Sequence, residues 1–194
     1  MGALRSFFLF MDQVRAVPIF LWDVNNVKNR PRYLAHAAII AALYAVITHM
    51  QNILLPGSAT WAIQLRLSEA LCVLAFFTPA AIPGLSVGCL IFNLTYAAAL
   101  PPDWVVGSLA TLIAAWAMHR LRRIRFFGLP IPGLLMPAVS NALLVGWELT
   151  VYIGGSFFLN ALYVAIGEAA VLLTFGVLLY RAITKRNLQT RLFG

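Results

Sequence analysis

Carboxyl and amide side chains interrupt the long apolar segments of this 194-residue chain. Glu148 and Asn141 stand seven residues apart in one such segment, so they share a helix face, and Glu168 stands in the next. A charged side chain near the centre of a lipid bilayer costs about 2.5 kcal/mol or more on insertion scales. Such groups persist where they pair, meet water or bind a ligand, and we therefore regard these residues as candidates for a binding site.

Further polar and aromatic side chains fall in the same outer half of the predicted helices. Several such groups on different helices favour a pocket that opens from the outer side. In such a pocket a carboxylate accepts two donors at once, an Asn reads a carbonyl, and aromatic rings stack. Hydrogen bonds between helices are the structural alternative for the same groups. The residues expected in the pocket are Glu148, Glu168, Asn141, Asn93, Trp147, Tyr152 and Asn160.

The segment 61–93 places four polar side chains directly before or within an apolar run: Gln64, Arg66, Ser68 and Glu69. Ser68 suits a helix N-cap, and Arg66 and Glu69 can pair, which would be a purely structural role. We expect Gln64, Arg66 and Glu69 near the mouth of the pocket. Breaks from Pro79 to Gly84 predict two helices joined by a tight turn on the inner side.

Motifs for catalysis are absent from the sequence. It contains no GxxxxGK[ST], HExxH or GxSxG pattern, and no nucleophile–base or metal cluster. The two cysteines, Cys72 and Cys89, are expected to be small buried apolar residues. We therefore expect no catalytic residues, no bound metal and no cofactor, and we expect a binding unit without a motor of its own.

The composition is that of a membrane protein. Hydrophobic residues make up 62% of the chain, only 10% are charged, and the mean hydropathy is +0.87. Soluble domains carry about 25% charged residues. The net charge of +8 lies in clusters between apolar runs, a pattern typical of topology signals rather than of nucleic-acid binding. The sequence predicts an all-α polytopic membrane protein.

Six transmembrane helices are predicted, at about 35–55, 68–80, 82–100, 104–120, 134–153 and 157–180. The second is short for the roughly 20 residues that a spanning helix needs. Residues 1–34 form a predicted cytoplasmic or interfacial arm, 35–181 the six-helix substrate-binding domain, and 182–194 a basic cytoplasmic tail.

Lysine and arginine predict the orientation. They concentrate in the arm 1–34, in the loop from Arg120 to Arg125 and in the tail from Arg181 to Arg191. Basic loops lie in the cytoplasm. Four and then two predicted helices separate these regions, which is consistent with both termini being cytoplasmic.

Small residues follow one face of the first predicted helix. Ala37, Ala41 and Ala45 are four residues apart, with Ala38 and Ala42 beside them. This spacing lets another helix approach closely. The face is either an intramolecular contact or a docking surface for a membrane partner.

The segments QLRLSEAL, FFTPAAIPGL and GCLIFN resemble the QueT family, as do RYLAHAAIIAALYAVIT and NALLVGWEL. The similarity covers about residues 33–180. It implies the six-helix fold of the substrate-binding S components of energy-coupling factor (ECF) transporters in the prokaryotic plasma membrane. It also implies an extracellular cavity and assembly with a transmembrane coupling protein and two ATPase subunits. S components dock through an Ala-x-x-x-Ala face, which here matches the alanines above.

The cargo implied by this resemblance is a queuosine precursor or salvage product: preQ1, queuine or queuosine. A 7-deazaguanine base presents N1–H and an exocyclic amine, which a buried carboxylate can accept together. An amine on the precursor could also pair with a carboxylate. Two alternatives are an S component for another vitamin or a metal, and a stand-alone carrier in which Glu168 relays protons.

Overall fold

A computed structural model describes residues 30–58, 64–96, 99 and 102–193. The chain divides into two units, Met1–Arg32 and Tyr33–Gly194. Of the predicted arm 1–34, residues 1–29 lie outside the described residues. Residues 30–34 belong to the first helix rather than to the arm.

Apart from one isolated bridge between Phe126 and Leu129, all regular structure in the described ranges is helical. The elements are α1 Arg30–Leu54, a 3₁₀ helix Leu67–Phe76, α2 Ala81–Thr95, α3 Asp103–Leu121, α4 Ile131–Leu134, α5 Met136–Tyr152, α6 Phe157–Val171, a π-helical turn Leu172–Gly176, α7 Val177–Lys185 and α8 Leu188–Phe193. Each of the six predicted segments thus contains a helix.

Four stretches are long and apolar enough to cross a membrane: Arg30–Leu54, Asp103–Leu121, Ile131–Tyr152 and Phe157–Lys185. Two apolar helices are shorter, Leu67–Phe76 and Ala81–Thr95. Large apolar side chains, such as Phe158 and Leu178, face outward along the long helices. An apolar surface of this extent is typical of a protein in contact with lipid.

The short second segment is a 3₁₀ helix of ten residues. With a rise of about 2.0 Å per residue it extends about 20 Å, against about 15 Å for an α-helix of the same length. A turn at Phe77–Ala80 follows it, where the backbone N–H of Ala80 donates to Thr78 Oγ1 at 3.3 Å. Pro83 then lies in the first turn of α2, where a proline removes no helical hydrogen bond.

Helices α1 and α2 pack closely through small residues. A Cβ at Gly84 would lie 2.7 Å from the carbonyl oxygen of Ala37, and one at Gly88 would lie 2.7 Å from that of Ala41. Only glycine permits this approach, which is the close packing expected for helices in membranes.

This packing limits the docking surface expected on α1. Ala41 and Ala45 are 5% and 7% exposed, and Ala37 is half-buried, so their face serves an intramolecular contact. Ala38 and Ala42 are exposed. The small-residue face that remains open in this structure is therefore that of Ala38 and Ala42.

Three helix ends meet at one end of the bundle. His119, in the last turn of α3, lies with Nδ1 2.7 Å from the carbonyl oxygen of Ala75 in the 3₁₀ helix. Tyr180 of α7 stacks on Phe77 with ring centroids 5.6 Å apart. The arginines that follow α3 and α7 are consequently at this end, which we call the basic end.

Candidate functional site

All four acidic residues in the described part of the chain are buried. Glu69, Glu148 and Glu168 are 0% exposed and Asp103 is 5% exposed. Asp103 begins α3, whereas His119 at the basic end is sixteen residues later, about 24 Å along the helix. Asp103 and the arginines that follow α3 thus lie at opposite ends of this helix.

Arg66 connects the four carboxyl groups. Its guanidinium interacts electrostatically with Asp103 and Glu69, and both Glu148 and Glu168 are subject to its charge. The side chain is 1% exposed. The residue expected at the mouth of a pocket is therefore at the centre of the polar cluster. A buried charge is tolerated only where opposite charges and hydrogen bonds compensate it.

The surroundings of Arg66 favour its charged form. Burial lowers the pKa of this residue, but Cys89, Tyr44 and the carboxyl groups raise it by more, so the overall direction is upward. Its Nη1 atom lies 3.8 Å from Cys89 Sγ. The cysteine expected to be a simple apolar residue is part of the polar cluster.

Glu69 has a partner on each oxygen. Tyr44 of α1 donates to Oε1 at 2.5 Å, and Cys72 donates to Oε2 at 3.1 Å. Tyr44 lies on α1, and Cys72 lies one turn after Glu69 in the 3₁₀ helix. Because both oxygens are occupied, Glu69 fixes the 3₁₀ helix against α1 and lies beside Arg66.

Glu168 and Asn141 form a unit between α6 and α5. Asn141 Nδ2 donates to Glu168 Oε1 at 3.1 Å. The other two acceptors of the unit, Glu168 Oε2 and Asn141 Oδ1, are buried and meet no donor among the described residues. A buried acceptor left without a donor is destabilising, by about 1–3 kcal/mol. This unit is therefore prepared to accept two hydrogen bonds.

Glu148 faces another carboxyl group. Asp103 of α3 is its principal charged neighbour and lies within hydrogen-bonding reach, so one proton between them would form a bond. No donor from the described residues meets either oxygen of Glu148. Two acidic groups from α3 and α5 thus stand together near the start of α3.

Asn93 positions the start of α3. Its Nδ2 donates to the carbonyl oxygen of Asp103 at 2.8 Å. Gly107, one turn further along α3, admits this side chain, because a Cβ there would lie 2.9 Å from Asn93 Nδ2. Asn93 therefore lies in the cluster, with a bond that orients Asp103.

The backbone of Gln64 lies directly on α6. A Cβ at Gly167 would be 2.5 Å from the carbonyl oxygen of Gln64. Gln51 of α1 holds the same segment, because its Oε1 accepts from the N–H of Leu67 at 2.8 Å and its Nε2 donates to the carbonyl oxygen of Leu65. Residues 64–66 are thereby fixed over Glu168, the neighbour of Gly167.

Three of the expected pocket residues are placed elsewhere. Trp147 and Tyr152 are each 55% exposed and point away from the cluster. Asn160 donates to Thr150 Oγ1 at 3.0 Å and to the carbonyl oxygen of Gly154 at 3.1 Å, which closes the turn between α5 and α6. The structure does not bring these residues to the carboxyl groups.

Two members of the cluster were not anticipated from the sequence, Asp103 and Tyr44. Asp103 follows Pro101 and Pro102 and resembles an ordinary helix-start residue. The available signal was topological, because the start of the fourth predicted helix lies on the same side as Arg66. Tyr44 lies within an apolar run, and nothing in the sequence indicates its bond to Glu69.

The cluster does not have the arrangement of a metal site. In the described ranges, no group of three or more His, Cys, Asp or Glu side chains is positioned to hold a metal ion. What the cluster offers is acceptor oxygens, one guanidinium and a buried environment. Such a site suits a small polar molecule with several hydrogen-bond donors.

Comparison with known proteins gives one result. A protein-family model described as QueT transporter matches residues 34–185. Neither the curated proteins nor the solved structures contain a match to the chain.

Proposed function

The chain belongs to the QueT transporter family, and from this premise we propose that it is the substrate-binding S component of an ECF-type importer. Its cargo in this proposal is a queuosine precursor or salvage product: preQ1, queuine or queuosine. It captures the cargo on the extracellular side of a prokaryotic plasma membrane. ATPase subunits in separate chains supply the energy.

The observation that carries the proposal is the Glu168–Asn141 unit. Its two unused acceptors, Glu168 Oε2 and Asn141 Oδ1, are neighbours through a bond of 3.1 Å. The N1–H and exocyclic amine of a 7-deazaguanine are likewise neighbouring donors. A carboxylate makes such bonds stronger than a neutral acceptor does. The base is read by this unit, deep between α5 and α6.

The remaining groups match the rest of the cargo. Arg66 carries five N–H donors, one of which can serve the base carbonyl. Glu148 and Asp103 lie at the outer end of the cluster and offer negative charge to an amine substituent. Trp147 and Tyr152, which are exposed, take no part in this arrangement.

The proposed topology has six transmembrane helices with both termini in the cytoplasm. The separation of the arginines at the basic end from Asp103 at the other end of α3 supports it, since basic loops remain inside. Single cysteines test the orientation. Ser156→Cys should react with a membrane-impermeant maleimide on intact cells, and Arg125→Cys should react only after lysis. The opposite pattern would reverse the orientation.

The proposed partners are a transmembrane coupling protein and two ATPase subunits. The exposed alanines of α1, Ala38 and Ala42, are the docking surface in this proposal, because Ala37, Ala41 and Ala45 pack inside the protein or are partly covered. Small side chains on an exposed helix face allow a second helix to approach closely.

Titration of the purified protein tests the cargo. Calorimetry with preQ1, queuine and queuosine should give saturable binding of at least one of them, with one site per chain. Glu168→Gln should weaken that binding by at least tenfold, because it replaces an acceptor by a donor. Trp147→Phe is the control and should bind as the parent does. A folded protein that binds none of the three would exclude this cargo.

A stand-alone carrier is the second candidate, and the facing carboxyl groups of Glu148 and Asp103 are the feature that favours it. Proton-coupled carriers use buried carboxyl groups as relays. Uptake in cells that lack the coupling ATPases separates the two functions. Loss of uptake supports the S component, and uptake that persists supports the carrier.

A further inference from the structure

The polar cluster contains more buried acid than base. Four carboxyl groups, those of Glu69, Asp103, Glu148 and Glu168, surround the single guanidinium of Arg66. With every group ionised, the cluster would hold an excess of three negative charges. Burial of uncompensated charge costs several kcal/mol per ion even after relaxation. The empty site must therefore carry protons, and a cargo that brings positive charge can replace them.

The pair Asp103 and Glu148 is the place for such a proton. Glu69 already accepts two hydrogen bonds, and Glu168 accepts one from Asn141. Glu148 accepts none from the described residues, although it is fully buried, and Asp103 lies within hydrogen-bonding reach of it. One proton on Glu148, donated to Asp103, removes a charge and supplies the missing bond.

Arg66 is the charged group that acts on both members of the pair, and Asn93 donates to the backbone of Asp103. The other titratable groups of the cluster, Tyr44, Glu69, Cys89 and Glu168, interact with Arg66. Tyr44 and Cys72 donate hydrogen bonds to Glu69, and Arg66 is the one cation among these neighbours. One guanidinium thus faces two carboxyl groups at this position, which makes a second cation favourable there.

We propose that Glu148 holds one proton in the ligand-free protein, directed at Asp103, and exchanges it for the protonated amine of the cargo. This inference rests on the proposed function, because it assigns a role to one end of the same site. The O–H bond of the carboxyl pair breaks and its proton passes to solvent. The ammonium N–H groups then donate to both carboxylates. One cation leaves and one enters, so the net charge of the site is unchanged.

The cargo class follows from this exchange. A 7-aminomethyl-7-deazaguanine is protonated at neutral pH, since an alkylamine has a pKa near 10. A 7-cyano-7-deazaguanine has the same base and no charge. Both present the same donors to Glu168 and Asn141, so they differ only at the end that faces the carboxyl pair.

Calorimetry in buffers of different ionisation enthalpy counts the protons released. We expect about one proton released per molecule of the aminomethyl compound and none for the cyano compound, which should bind at least tenfold more weakly. The affinity for the aminomethyl compound should rise between pH 5.5 and pH 8. Equal affinities, or release of no proton with the aminomethyl compound, would overturn the exchange while the cargo assignment stands. Binding of neither compound to folded protein would overturn both.

Substitutions locate the proton. Asp103→Asn should retain binding of the aminomethyl compound and release less than about a third of a proton, whereas Trp147→Phe should still release one. Glu148→Gln should also lose the release, which provides a second test if the first variant does not fold. Release of a full proton by both variants would place the exchange on another group and overturn the assignment.

Discussion

The carbonyl oxygen of Gln64 lies so close to Gly167 that a Cβ there would be 2.5 Å away. This contact joins the segment that leads into the 3₁₀ helix to the helix that carries Glu168. It also makes the position of Arg66, two residues after Gln64, depend on the absence of a side chain on α6. The absence of a side chain at Gly167 thus allows the segment with Arg66 to lie against the helix with Glu168.

Gly167→Ala should therefore impair both the fold and the site. Overpacking of this kind costs about 1–3 kcal/mol, and the displaced segment carries Arg66 with it. We expect a lower melting temperature and at least tenfold weaker cargo binding, measured by thermal unfolding in detergent and by titration. Gly176→Ala, in the π-helical turn that continues the same helix, is the control, because its new Cβ would meet nothing closer than 3.4 Å. Identical behaviour of the two variants would show that the Gln64 contact has no special role.

Tyr44→Phe removes the donor to Glu69 Oε1 and leaves the rest of the ring. A buried acceptor deprived of its bond costs about 1–3 kcal/mol. We expect the midpoint of thermal unfolding to fall by several degrees. Tyr180→Phe, whose ring packs on Phe76 and Phe77 at the basic end, should change it little. A parent-like midpoint for Tyr44→Phe would mean that this bond contributes nothing to stability.

Arg66→Gln removes the cation between four carboxyl groups. The loss of one partner from a buried ionic group costs about 3–5 kcal/mol. We expect a protein that is much less stable at pH 8 and recovers part of the loss at pH 5, because protonated carboxyl groups no longer need the cation. Arg125→Gln, at an exposed position in the loop after α3, should match the parent at both pH values. A deficit independent of pH would argue that Arg66 acts through packing alone.

Ala42→Trp tests the docking surface on α1. The residue is exposed, so the variant should fold and bind cargo, yet a bulky side chain should prevent close approach of another helix. We expect it to lose co-purification with the coupling protein. Ala41→Trp, which lies on Gly88, should instead fail to fold. Normal co-purification of the Ala42 variant would move the docking surface elsewhere.

Much of the fold follows from the sequence because continuous apolar runs and clustered basic residues are strong signals. The helix boundaries are less well predicted. The third segment was expected to reach residue 100, yet α2 ends at Thr95 and Tyr96 is extended. The run LSEALCVLAF has apolar residues on all sides, so its pattern cannot distinguish a 3₁₀ helix from an α-helix.

The site was predicted in part. Glu148, Glu168 and Asn141 were recognisable because polar groups in apolar helices are costly. Trp147 precedes Glu148 directly, so its side chain is rotated by about 100° around the helix axis and faces outward. The central place of Arg66 and the pairing of Asp103 with Glu148 arise from contacts between distant segments, which no local pattern encodes.

Mass spectrometry of the small molecule retained by the purified protein tests the central claim most directly. Cells grown with preQ1, queuine and queuosine should yield a protein that carries one equivalent of an amine-bearing 7-deazaguanine, and Glu168→Gln should carry none. A folded protein that retains a different vitamin, or a Glu168→Gln variant that retains the same 7-deazaguanine in equal amount, would contradict the account.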